Sequence, residues 1–105
     1  MPQNQTFHVG THGDAFNFES VTVGSTSVGL TQTAFNPPYL PKAQYALITV
    51  ETDQIRWRYN GGAATSTSHL ANVGDVIELE GINNIQNFRA IRVTADAAIR
   101  VTYER

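Results

Sequence analysis

His8, His12 and Asp14 come nearest to a metal-binding spacing in this chain. Imidazoles with a carboxylate can hold zinc or copper. In an extended segment His8 and His12 share a face but lie about 13 Å apart. Gly10 and Gly13 would have to fold the segment back to close a site. His69 follows the tract Thr65-Ser66-Thr67-Ser68, so hydroxyls and an imidazole are at hand for acyl-transfer chemistry. The strained GxSxG turn that exposes a nucleophilic serine is missing. Glu78 and Glu80 stand two apart on one strand face, about 7 Å from each other, a separation that glycosidase carboxylates also span. The alternation Val76-Ile77-Glu78-Leu79-Glu80 turns both toward solvent. Gly61-Gly62 lacks the lysine and the following helix of a phosphate loop. Cysteine is absent, which removes disulfides, thiolate nucleophiles and thiolate metal sites. No catalytic constellation assembles, so the expectation is a non-enzymatic chain without a cofactor.

Arg56, Arg58, Arg89, Arg92 and Arg100 would make a basic stripe if their strands were neighbours. Interleaved with Trp57, Tyr59 and Tyr103, they suggest a platform for single-stranded nucleic acid. Alternation places the aromatics and the arginines on opposite faces, however. The net charge of −2 gives no bulk attraction to nucleic acid or to anionic membranes. Residues 1–52 carry one base, Lys42, against Asp14, Glu19 and Glu51; residues 53–105 carry six Arg against six acids. Cross-strand or intersubunit pairing of the arginines with Glu51, Glu78 or Glu80 is the expected use of this charge.

These side chains must be positioned by strands. Residues 46–59 alternate apolar and polar twice around the polar interruption Glu51-Thr52-Asp53-Gln54, the pattern of a hairpin. Ala46, Ile48 and Val50 share a face, and the opposite face is apolar enough for a central strand. Ile55, Trp57 and Tyr59 face the core in the second strand, with Arg56 and Arg58 outward. Residues 15–23 and 27–31 read as a first hairpin, with a bulge at Ser20 keeping Phe16, Phe18, Val21 and Val23 inward. Residues 33–42 hold three prolines and read as an extended crossing between sheets. Residues 60–68 form an exposed loop that suits binding. Further strands are expected at 76–80, 88–94 (with a second bulge) and 98–103. Residues 81–87 read as a turn anchored by Ile82 and Ile85.

About seven strands separated by frequent turns predict an all-β fold, an antiparallel β-sandwich or small barrel, jelly-roll-like. Residues 1–13 read as an N-terminal arm and 14–105 as a single domain, for which 105 residues suffice. Only 15% of residues are charged, against about 25% in typical proteins. The start of the chain has no basic, apolar leader, and no apolar run approaches the ~20 residues of a membrane helix. Synthesis in the cytoplasm and no membrane partner are therefore expected.

One longer pattern remains. Residues 45–93 run from an apolar strand ending in Glu51-Thr52 through a polar turn to Ile55-Arg56-Trp57-Arg58. A Gly- and Ser/Thr-rich loop follows, then Gly74-Asp75, Ile77-Glu78-Leu79, and Phe88-Arg89-Ala90-Ile91-Arg92. This run resembles a group of small tailed-phage virion-associated proteins, β-sandwich head or neck components that include capsid decoration (cement) proteins. Ala63-Ala64 stand where that pattern would place a proline. The resemblance implies a structural protein of the virion, made in the host cytoplasm and decorating the head shell as a homo-oligomer, a trimer by expectation. Its partners would be the major capsid protein or other virion proteins. Contact candidates are Tyr39, Leu40, Arg56, Arg58, Asn60, Gly61, Gly62, Ser66 and Ser68. The alternative is a carbohydrate-binding module of a phage tail or host-facing surface, presenting Trp57, Tyr59 and Tyr103 with Asn60, Asn83 and Asn84.

Overall fold

Seven strands form in the computed structural model, which describes residues 13–105. They are β1 (Ala15–Val23), β2 (Tyr45–Glu51), β3 (Ile55–Arg58), β4 (His69–Ala71), β5 (Val76–Glu80), β6 (Arg89–Arg92) and β7 (Ala97–Glu104). Two short helices, α1 (Gln32–Phe35) and α2 (Ile82–Asn87), lie in the connections. All pairing is antiparallel. One sheet has the order β1-β7-β2-β5 and the other β4-β3-β6. The fold is an all-β sandwich, as the alternation predicts.

Its connectivity is more specific. Val28 exchanges two backbone hydrogen bonds of 2.9 Å with Ala90 of β6. Val28 thus acts as a one-residue strand on the free side of β6, and the second sheet reads β4-β3-β6-Val28. The chain then visits the sheets in the order of an eight-position jelly roll. Residues 27–31 therefore do not form a hairpin with β1. β1 pairs with β7 instead, and the segment crosses to the other sheet. The next connection returns to the first sheet, and it is not wholly extended. Ala34 and Phe35 donate their N–H groups to the Thr31 carbonyl, giving α1. Pro37 and Pro38 prevent the helix from continuing.

The largest departure lies in residues 46–59. The turn is present, but β2 and β3 belong to different sheets. The stretch is a corner, not a hairpin. Each strand carries an inward apolar set: Ala46, Ile48 and Val50 on β2, and Ile55 with half-buried Trp57 on β3. Folding the corner over lays these sets against each other, which a flat hairpin would not do. Thr52 at the corner has φ +75°, uncommon for a β-branched residue. β2 is central, between β7 and β5, as expected.

In β1 the bulge falls at Phe16 rather than Ser20. Ala15 pairs with Glu104 and Asn17 with Tyr103, leaving Phe16 extra. Phe16 packs against the core under the Arg105 guanidinium, 4.3 Å from its ring centre. The shift puts Glu19, Val21 and Val23 in phase with inward Val101, Ile99 and Ala97, and Phe18 in solvent at 58% exposure. An inward Glu19 has a use. Its carboxylate accepts a hydrogen bond from the Tyr103 hydroxyl and another from the Thr31 N–H. Tyr103 is wholly buried, and its ring lies 6.1 Å from that of Phe35.

Residues 82–87 form α2 rather than a turn, with Ile85 buried and Gly81 at φ +92° ahead of it. Ile82 and Ile85 do anchor this segment. β6 has no bulge: its register runs evenly from Ile55–Arg92 to Arg58–Arg89. In β5, Ile77 and Leu79 are buried and Glu78 and Glu80 exposed, as the pattern predicts. No helix among the described residues is long and apolar enough to cross a membrane.

Candidate functional site

β3 and β4 pair over three residues, with Trp57 opposite His69. Whatever follows β3 and precedes β4 is therefore gathered at one end of this pair. Arg58, Tyr59, Asn60, Thr67, Ser68 and His69 line a cleft there of about 320 Å³.

An aromatic ladder stands behind its wall. Buried Phe88 supports Trp57, with ring centres 6.0 Å apart and planes 27° from parallel. Trp57 in turn stacks on Tyr59 at 5.7 Å and 23°. His69 tilts against Trp57 at 5.2 Å. Tyr59 lies past the end of β3 and is 44% exposed, so it does not join the core as expected. Strand alternation and core contact make Trp57 the bridge between interior and cleft.

The rim is held by the loop at residues 60–68. Asn60 Oδ1 accepts from Arg58 Nε at 2.8 Å and from the Gly62 N–H at 3.2 Å. Arg58 Nη1 donates to the Ala63 carbonyl at 3.2 Å. A side chain at Gly62 would begin 3.2 Å from Arg58 Cζ, so glycine allows the guanidinium to lie close. Gly61, at φ +91°, donates its N–H to the Asn87 carbonyl. Ala64 is buried, and its N–H bonds Ser27 Oγ at 3.0 Å. The loop is pinned to the Val28 segment at this point. Ser68 Oγ accepts from the Thr65 N–H, and the Ser68 carbonyl accepts from Arg56 Nη1.

Neither a family model nor a curated protein nor a solved structure matches this chain. The site must be read from its own geometry.

Of the residues singled out in the sequence, the cleft unites Arg58, Tyr59, Asn60, Ser68 and His69 directly. Arg56, Gly61 and Gly62 brace its loop. Ser66 is exposed on the same loop. Tyr39 and Leu40 lie in a different connection, between α1 and β2. Arg56, Arg58, Arg89 and Arg92 lie on neighbouring β3 and β6, but Arg100 is in the other sheet. The arginines do not ion-pair with Glu51, Glu78 or Glu80 among the described residues. Arg56, Arg58 and Arg89 hold backbone carbonyls, and Arg92 pairs with Asp96 at 2.5 Å. Glu78 and Glu80 border a second cleft of about 240 Å³ with Tyr45, Leu47 and Glu104. Tyr103 is buried, so it presents nothing to a ligand, and Asn83 and Asn84 belong to α2. His8 and His12 fall outside the described residues. Asp14 is exposed, and its backbone exchanges two hydrogen bonds with Arg105. Sequence spacing alone missed the meeting of His69 with Tyr59. The β3–β4 register is the signal that brings them together.

Proposed function

We propose that the chain is a non-enzymatic structural protein of a phage virion, decorating or cementing the head shell through homo-oligomeric contacts. The observation that carries this is the loop Pro37-Pro38-Tyr39-Leu40-Pro41. Tyr39 is fully exposed (102%) and sits at φ +69°; Leu40 beside it is 55% exposed. A left-handed backbone costs a non-glycine residue about 1–2 kcal/mol, and an exposed ring recovers none of it within the monomer. Strain of this kind, where a bulky apolar residue is displayed, marks a contact surface. The prolines stiffen the display and reduce the entropy lost on binding. The jelly roll is also an architecture used by viral capsid domains; that support is analogy of fold.

Tyr39→Gly separates display from folding, because glycine relieves the left-handed strain. The variant is expected to keep or raise the thermal midpoint while losing self-association about tenfold. Light scattering on the eluting full chain, with and without the substitution, measures this. A wild-type chain that stays monomeric at every concentration, or a Tyr39→Gly variant that assembles like it, would count against the role.

A further inference from the structure

We propose that the cleft at the end of the β3–β4 pair binds a carbohydrate, with Tyr59 as the stacking platform. The cleft lies at the mouth of the 60–68 loop, and Tyr39 and Leu40 are not among its residues.

Four features select this ligand class. First, Tyr59 offers one ring face to Trp57 and leaves the residue 44% exposed in the cleft. An aromatic face that is rigid and open packs against the C–H face of a sugar ring, burying apolar area at little entropic cost. The stack down to Phe88 fixes the platform before any ligand arrives. Second, the groups around it are unspent. Asn60 uses its carbonyl oxygen on Arg58 and Gly62, so its amide retains both donors. The Tyr59 hydroxyl and the His69 imidazole make no hydrogen bond among the described residues, and Ser68 Oγ serves only as an acceptor for the Thr65 N–H. Donors and acceptors both face the cleft, which suits hydroxyls, each a donor and an acceptor at once. Third, Arg58 is the one formally charged side chain of the lining; two of its five N–H donors hold the neutral oxygens of Asn60 and Ala63, and the others can serve sugar hydroxyls. Fourth, about 320 Å³ lies at the small end of ligand-site volumes, room for one or two sugar rings.

The test is a titration of the isotopically labelled full chain with glucose, galactose, N-acetylglucosamine and their disaccharides, followed by amide chemical shifts. At least one of these sugars is expected to bind at millimolar concentration, shifting residues 58–62 and 67–69. Tyr59→Ala, and Asn60→Asp, which keeps the oxygen that holds Arg58 and Gly62 but loses the amide donors, should each weaken that binding about tenfold in a protein that still folds. Two results would overturn the assignment: no sugar of the panel binding, or binding that Tyr59→Ala leaves intact. Shifts confined to another surface would overturn it equally.

Discussion

Tyr103→Ala is expected to cost about 3–5 kcal/mol of folding stability, the range for removing a buried aromatic ring. The ring is wholly buried beside Phe35 on β7, the strand paired with both β1 and β2. The substitution also strips the Glu19 carboxylate of the hydroxyl that hydrogen-bonds it. Domains hold only about 5–15 kcal/mol in all, so the variant should lose a large share of its stability and melt at a markedly lower temperature. Tyr103→Phe keeps the ring and isolates the hydroxyl. It should cost about 1.5–3 kcal/mol, as for a hydrogen bond to a charged group.

The same hydroxyl makes a pH prediction. Burial first, and then the adjacent Glu19 carboxylate, push the Tyr103 phenol far above its ordinary range. An unfolded tyrosine ionises near pH 10. The folded state keeps the proton that the unfolded state gives up, so the unfolded state binds fewer protons as the pH rises. This contribution is complete below about pH 10 and declines above it by up to about 1.4 kcal/mol per pH unit. Denaturant midpoints between pH 8 and pH 11 measure the slope. Tyr103→Phe should flatten it, and an equal alkaline decline in both proteins would show that Tyr103 does not titrate with unfolding.

Phe88→Ala should also cost about 3–5 kcal/mol, and its second effect is local. Phe88 is buried beneath Trp57, which carries Tyr59. Its removal takes away the support of the whole ladder. Phe88→Leu keeps an apolar side chain at the site and should cost less than Phe88→Ala, while leaving Trp57 without its buried stacking partner. The expected result is a folded protein with an altered near-ultraviolet signal from its single tryptophan and weaker sugar binding. An unchanged tryptophan signal in Phe88→Leu would mean that Trp57 is held by other contacts.

Why some of this was legible and some was not follows from range. Strands with clean alternation in the sequence are where they were expected: β2, β5 and β7 bury Ile48, Ile77 and Ile99 on the inward phase. Alternation says which face a residue takes, but not which strand lies beside it. Residues 46–59 contain a tight turn in either topology, and only the facing apolar sets decide that it is a corner. The bulge in β1 was misplaced for a related reason. Phe18 is more apolar than Glu19, yet Glu19 is the one turned inward, because Tyr103, 84 residues away, uses its carboxylate. Short helices such as α2 carry too few residues to show a helical period. The cleft was half legible. Arg58 drew notice as an outward strand residue and Asn60 and Ser68 as loop residues, but His69 joins them through the pairing with Trp57. Tyr39 was legible as apolar in a proline-rich stretch; its left-handed backbone was not.

The virion role is tested most directly by co-sedimentation. The purified chain would be mixed with capsid shells assembled from any major capsid protein that its gene neighbourhood encodes. The proposal predicts saturable binding at a fixed ratio to the shell subunit, a higher shell dissociation temperature, and loss of both with Tyr39→Gly. A chain that remains in the supernatant, leaving shell stability unchanged, would contradict it.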